Sequence, residues 1–234
     1  MRVVSLVPSL TETLFALGAG ESVAGITDWC IFPENLALPR VGGTKNPRID
    51  EIRALKPDIV YVNVEENLKK HADAIAEFAR VVATEPKTMD DVRALFELLA
   101  GIHQKDARPL LDALQRELDA LPQRSFTFAV PIWKKPWMWC GGDTYVSHLV
   151  SAAGGVNVIA ERERYPSLEL EEILALNPEL IFLPDEPFPF TAEDAEEIEA
   201  TTVGPFPGHL FTWHGARTIE GLRFLRAACE SRRV

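Results

Sequence analysis

The sequence predicts an α/β fold of two lobes, each built on a parallel sheet, joined by a rigid helical strut. Three observations carry that prediction. First, the segment Ile49–Val62 (IDEIRALKPDIVYV) recurs without a gap as Leu170–Leu183 (LEEILALNPELIFL), 121 residues later. Glu51/Glu172, Ile52/Ile173, Ala54/Ala175, Leu55/Leu176 and Pro57/Pro178 are identical, and most other pairs keep their chemistry. Second, β-branched or aromatic runs alternate with helix-period segments on both sides of the middle, which implies parallel strands with covering helices. Third, residues 89–121 show helical periodicity and no strand. The predicted boundaries are an N-terminal α/β lobe at 1–86, the strut at 87–122 and a C-terminal α/β lobe at 123–234, with lobes of ordinary domain size.

The first lobe opens with a strand at Val3–Val7 and a helix over about 10–18. Ser9 followed by Glu12 fits a capping box, and Gly18 offers the left-handed residue that ends a helix cheaply. A strand follows at Val23–Thr27, then a loop rich in Pro, Gly and Asn at Asp28–Arg48. The first repeat copy is a short helix, a Pro-Asp turn and a strand ending at Val62. A helix at about 67–79 and a strand at Val81–Ala83 complete the lobe. In the strut, Met89–Ile102 reads as one helix and Asp106–Leu121 as another, with Pro109 in its first turn, where Pro is tolerated. The second lobe repeats the order. Strand Phe126–Val130 leads into a Trp-rich loop, and Gly141-Gly142-Asp143-Thr144 opens a helix over about 144–153. Gly154–Ile159 echoes Gly18–Ile26. After the second repeat copy come an acidic helix at about 191–200, a strand at His209–Thr212 and a terminal helix at Thr218–Cys229.

Composition narrows the function. Hydrophobic residues make up 47% of the 234, enough for a real core, and the formal charge of −11 argues against a nucleic-acid partner, which needs a basic surface. No apolar run approaches a membrane span, so the chain is not expected to be membrane-embedded. Its first residues already resemble a strand rather than a signal-peptide core, so as written it is expected in the cytoplasm. A removed leader would instead place it in the periplasm or at the cell surface. The three widely spaced cysteines, Cys30, Cys140 and Cys229, do not suggest a disulfide framework or a zinc site, and at least two of them are expected to be buried free thiols.

The order Val3-Val4-Ser5-Leu6-Val7-Pro8-Ser9-Leu10-Thr11-Glu12, then Leu17-Gly18-Ala19-Gly20, then Leu55-Lys56-Pro57-Asp58, resembles the helical-backbone substrate-binding proteins of ABC importers for vitamin B12, haem and iron-siderophores. The resemblance covers nearly the whole chain. It is nearest to the cobalamin-binding-like branch at Val41-Gly42-Gly43-Thr44-Lys45-Asn46-Pro47, Glu65-Glu66-Asn67 and Pro184-Asp185-Glu186-Pro187. The family implies two Rossmann-like lobes on a long helix, modest closure, and a ligand held in the cleft by strand-end loops. It also implies a non-catalytic role with no required cofactor, a corrinoid or other metal chelate as ligand, and an ABC permease as partner.

In open α/β sheets ligands lie outside the carboxyl ends of the strands. That rule selects Ser9 and Thr11 after the first strand, Asp28 and Trp29 after the second, and Thr44, Lys45 and Asn46 in the following loop. It also selects Asn63, Glu65 and Glu66 after the first repeat, and Asp185, Glu186 and Phe188 after the second. The segment 131–145 is the strongest local signal, with Trp133, Trp137 and Trp139 beside Lys134, followed by Asp143, Thr144 and Tyr145. Flat indoles bind macrocycles and cations, and also pack cores. Trp213, His214 and Arg217 lie opposite. In the B12-binding relatives a Trp at the place of Trp213 helps cradle the corrin, while Arg217 also suits an inter-loop salt bridge. Cys30 is a metal-ligand candidate, but related chains carry a His where Phe32 stands, which favours a buried or rim thiol. The five histidines, His71, His103, His148, His209 and His214, form no metal constellation, so a zinc or manganese receptor fails on inventory. Importer-type relatives dock with a surface carboxylate on each lobe. Here Leu68-Lys69-Lys70 stands at the simplest match, without the first-lobe acid.

Two other classes remain open. One is an enzyme holding a nucleotide or phosphate at Gly141-Gly142-Asp143-Thr144, where a helix start can bind an anion. Gly18-Ala19-Gly20 follows a helix rather than a strand and lacks dinucleotide geometry, and no nucleophile-elbow motif is present. The other is a cytoplasmic ligand sensor or chaperone that keeps the receptor fold.

Overall fold

The computed structural model describes residues 1–122 and 124–230. The chain divides into two compact units. Unit one comprises Met1–Pro86, Asp91–Asp112 and the short segment His214–Arg217, and unit two comprises Lys87–Asp90, Ala113–Trp213 and the chain from Thr218 onward. The predicted start of the second lobe, Gln123, lies outside the described residues.

Unit one is a four-stranded parallel sheet in the order β2-β1-β3-β4, with β1 Val3–Ser5, β2 Val23–Ile26, β3 Ile59–Asn63 and β4 Arg80–Thr84. Its strands are apolar on both faces, as a sheet covered on both sides requires. Period-2 alternation sorts them. Val3 and Tyr61 join one core with Leu10 and Leu14 of α1 (Pro8–Ala16) and Leu95 and Leu99 of α4 (Met89–His103). Val4, Val60 and Val62 join the other with Ile52 of α2 (Ile49–Ala54) and Ile75 of α3 (Lys69–Ala76). A further helix, α5 (Arg108–Asp119), follows α4.

Unit two repeats this topology. Its parallel sheet runs β10-β9-β5-β8, with β5 Phe126–Ala129, β8 Gly155–Asn157, β9 Leu180–Pro184 and β10 Thr202–Phe206. One face buries Ala129, Ile181 and Leu183 against Ile173 of α7 (Leu170–Ala175). The other is aromatic: Phe128 meets Phe182 edge-on, and Phe182 packs on Phe211, which meets Phe206 and Phe224. The remaining helices are α6 (Tyr145–Ala152), α8 (Ala192–Glu196), α9 (His209–Thr212) and α10 (Arg217–Glu230).

The duplication survives to single backbone angles. Helices α2 and α7 and strands β3 and β9 start and end at matching positions. Lys56 and Asn177, also matched, both turn left-handed, with φ of 52° at Asn177 and 49° at Lys56. Each ends its helix and turns the chain into the following Pro.

Three local expectations are corrected. The capping box of Ser9 and Glu12 does not form: α1 begins at Pro8, its N-cap is Val7, and no side chain caps it. Both polar side chains are taken by partners 205 residues away, as described below. The expected strand at His209–Thr212 is the one-turn helix α9, and the strand is instead Thr202–Phe206. Gly204-Pro205 argues against a strand in sequence, but β10 is an edge strand, where Pro is tolerated. The Trp-rich segment is not an open loop. It folds into an antiparallel hairpin of β6 (Pro131–Trp133) and β7 (Met138–Trp139).

Candidate ligand-binding surfaces

Because every strand of unit one is parallel, the loops after β1, β2 and β3 leave the same edge of the sheet. At that edge stands His214, 5% exposed. Its Nδ1 is 2.8 Å from Ser9 Oγ and its Nε2 is 3.0 Å from Asn63 Nδ2. The Asn63 Oδ1 already accepts the backbone N–H groups of Glu65 (2.8 Å) and Glu66 (3.2 Å). Its amide nitrogen therefore donates to Nε2, which leaves the imidazole proton on Nδ1, donated to Ser9. The ring is neutral, and burial depresses its pKa to about 4.

The next residues continue the attachment. Gly215 has φ 83°, and a Cβ there would stand 2.2 Å from Thr13 Oγ1. That hydroxyl donates to Ser9 O (2.7 Å) and accepts from the Ala216 N–H (3.0 Å). Arg217 forms a bidentate pair with Glu12 at 2.5 and 3.0 Å, and its guanidinium stacks on Phe32 at 3.9 Å. The salt-bridge use of Arg217 is thus the one seen. Thr11 is fully buried and donates to Val7 O, with its hydroxyl 3.2 Å from Cys30 Sγ. Cys30 also meets Thr27 and is a buried thiol whose pKa burial pushes up, the reverse of a thiolate ligand.

Other predicted residues of this unit remain at the surface. Asp28 faces Arg48 at 3.8 Å. Trp29 is 63% exposed, its indole nitrogen close over Gly43. Lys45 donates to Glu65 O at 2.5 Å, the Thr44 carbonyl accepts from Asn67, and Asn46 packs on Gly43. Asn67 also accepts from Asn63 N and donates to Leu6 O, which ties the β3 loop to the end of β1. Two residues at this edge escaped the sequence reading: Ile31 and Val64, 54% and 51% exposed. Their signal was an apolar side chain in a strand-end loop beside a predicted contact.

In unit two the strand ends carry an aromatic stack. Fully buried Trp139 donates its indole N–H to Leu168 O and stacks on Trp137, which stacks on Phe190. Phe190 meets Phe188, and Phe188 meets Trp133 edge-on at 5.5 Å. The series runs from a buried anchor to Trp133, which is 42% exposed. Lys134 does not reach into solvent. It binds Asp194 and, at 2.6 Å, Glu197, and lies 5.5 Å over Trp137. Asp143 accepts the Arg164 N–H at 2.5 Å and faces Lys87. Thr144 is the true N-cap of α6, and buried Tyr145 hydrogen-bonds Thr218 Oγ1 at 2.8 Å. Asp185 accepts the Gly208 N–H, and Glu186 accepts from Thr212 Oγ1, its carboxyl pushed up by burial. Trp213 follows α9 and packs near His209.

The phosphate reading meets a geometric obstacle. Gly141 N–H donates to Arg164 O and Gly142 N–H to Arg162 O, so both glycine amides are already used. A Cβ on Gly141 would strike the Arg162 carbonyl, and one on Gly142 the Ala160 carbonyl. Among the described residues no group of three or more His, Cys, Asp or Glu converges to hold a metal, and no helix is long and apolar enough to cross a membrane.

Comparison with known proteins agrees with this architecture. The family model described as periplasmic binding protein matches residues 3–203. The vitamin B12-binding protein of Pectobacterium carotovorum subsp. carotovorum (strain PC1) is 27% identical over 198 residues, covering 80% of this chain and 72% of that protein. The uncharacterized ABC transporter substrate-binding lipoprotein YvrC of Bacillus subtilis (strain 168) is 26% identical over 246 residues, 96% of this chain and 78% of its own. Among solved structures, the periplasmic vitamin B12 binding protein BtuF of Vibrio cholerae superposes with a TM-score of 0.81 at 20% identity, covering 98% of this chain and 96% of that one. The periplasmic heme binding protein HutB of Vibrio cholerae also gives 0.81, at 16% identity and 98% coverage of both chains. These structural likenesses speak for the fold.

Proposed function

Since this chain belongs to the periplasmic binding protein family, we propose that it is the non-catalytic ligand-binding component of an ABC importer and that it takes a corrinoid such as vitamin B12, or another flat metal chelate such as haem. The observation that carries the ligand class is the pair of exposed indoles at strand ends, Trp29 in unit one and Trp133 in unit two. A large planar face left in water beside an otherwise satisfied loop suits a macrocycle, which it can hold by stacking and dispersion. No resident cofactor is needed for such capture. The chain works outside the cytoplasm and hands its ligand to an ABC permease, as the names of its relatives suggest for theirs.

The test is titration of the purified protein with cyanocobalamin, cobinamide, hemin and a ferric siderophore, following tryptophan quenching. Saturable binding of one class with micromolar or tighter affinity is expected. Dissociation constants all weaker than about 100 µM would overturn the assignment. Co-purification with a permease encoded beside the gene tests the transport partner.

A further inference from the structure

We infer that the tetrapeptide His214–Arg217 is the positioning element of unit one's ligand surface: it ties the start of α1, the loop after β2 and the end of β3 together, and His214 and Arg217 act through those segments rather than by touching ligand. The last clause rests on the proposed function; the tie itself rests on geometry alone.

The chain enters unit one at His214 and leaves it after Arg217. In those four residues it engages the start of α1, the loop after β2 and the end of β3. Ser9, after β1, receives the His214 Nδ1 proton. Asn63, which ends β3, donates to Nε2, and the same amide group fixes the N–H groups of Glu65 and Glu66. Phe32, in the loop after β2, lies under the Arg217 guanidinium. Between these anchors, Thr13 and Glu12 hold Ala216 and Arg217 to α1. Ser9, Glu12 and Thr13 are spaced i, i+3 and i+4 and so share one face of the helix. The fit is close, because only a residue without Cβ fits over Thr13 at position 215. His214 and Arg217 are 5% and 9% exposed, so neither offers a surface to a ligand. A bound macrocycle would instead meet Trp29, three residues from Phe32. Fixing such loops in advance lowers the ordering cost of binding.

The experiment compares wild type with His214→Leu, His214→Gln and Arg217→Met by backbone hydrogen exchange of the unliganded proteins, together with cyanocobalamin and hemin titration. Gln can donate to Ser9 and accept from Asn63, so it serves as the conservative rescue. The expected result is at least tenfold faster exchange in residues 6–13, 28–33 and 63–67 together in H214L and R217M, near-wild-type exchange in H214Q, and unchanged exchange in β5 and β9. Whichever probe wild type binds should then bind H214L and R217M at least tenfold more weakly, through faster release. Faster exchange confined to residues 8–13, or spread evenly over the chain, would overturn the tie. Lost affinity with wild-type exchange would show direct ligand contact and overturn the positioning role. If wild type binds neither probe, the proposed ligand falls, while the exchange arm still decides whether the tetrapeptide ties those segments together.

Discussion

Acid should loosen unit one through a single imidazole. The neutral His214 ring accepts from Asn63 at Nε2, and a second ring proton would place two donors face to face. Turning the Asn63 amide to accommodate it would strip its oxygen from the Glu65 and Glu66 amides. With a pKa of about 4 in the fold against an ordinary 6.5, the unfolded chain binds a proton that the native state refuses. Stability contributed by this group is therefore complete above pH 6.5, declines as pH falls below it, and is lost by about pH 4. At about 1.4 kcal/mol per pKa unit, that gap amounts to about 3 kcal/mol. For a chain of this size it corresponds to roughly 6–12 °C in Tm. The assay is urea unfolding at fixed pH values from 7.5 to 4 for wild type and His214→Gln, with the m-value checked for constancy. Carboxylates and other histidines titrate in both proteins, so the difference between the two curves isolates His214. Wild type should lose about 3 kcal/mol more than the variant across that range. Parallel curves would refute the neutral, buried state of the ring and the hydrogen-bond directions derived from it.

Three further outcomes follow from the same contacts. Trp29→Ala removes an exposed side chain, so Tm should stay within about 1 °C while the affinity for a bound corrinoid or haem drops at least tenfold, read by calorimetric titration; a fall in Tm alone would place the indole in the core. Lys134→Met leaves the Asp194 and Glu197 carboxylates without their shared cation and should destabilise unit two by about 1–2 kcal/mol, with Lys134→Arg restoring most of it, both measured by urea denaturation. Replacing left-handed Lys56 by Gly should stabilise by about 0.5–1 kcal/mol, whereas Asn177→Gly should gain less, because Asn tolerates that conformation; equal gains in thermal melts would refute the distinction.

What the sequence made legible is what local chemistry determines. The Pro57-Asp58 and Pro178-Glu179 turns mark the end of a helix and the start of a strand, and both copies deliver them at matched positions. The alternation of strands with helices was equally readable, and the parallel sheet it implies is covered on both faces, with Val3 in one core and Val4 in the other. Ser9 and Glu12 show the limit. A helix start and a long-range anchor use the same residue types, and nothing within ten residues distinguishes them. Their true partners arrive 205 positions later. Lys134 shows it again: the neighbouring indoles were visible, but the acids that claim its ammonium, Asp194 in α8 and Glu197 at its C-cap, lie 60 and 63 residues on. Strand β10 was hidden by Gly204-Pro205, a signal that excludes a central strand and permits an edge one.

The two units reach a similar result by unlike means, and the contrast suggests where ligand choice resides. The repeated halves share strand order and turn geometry, so the scaffold alone would present two similar edges. In unit one the edge is fixed by polar ties: a neutral imidazole, an amide that serves three partners, and a bidentate ion pair on α1. In unit two it is fixed by aromatic stacking, from Trp139 through Trp137, Phe190 and Phe188 to Trp133, with Lys134 anchoring the hairpin to α8. Each device consumes most of the polar groups that a reading by residue type assigns to the ligand. The large apolar side chains left exposed are Trp29, Ile31 and Val64 on one edge and Trp133 on the other, beside exposed Asp28, Lys45, Asn46 and Asp185. A ligand that stacks on these indoles is recognised there by area and shape. Replacing Trp29 or Trp133 should therefore change the ranking among macrocycles more than any single polar substitution at these edges, a contrast that competition between cyanocobalamin and hemin measures directly.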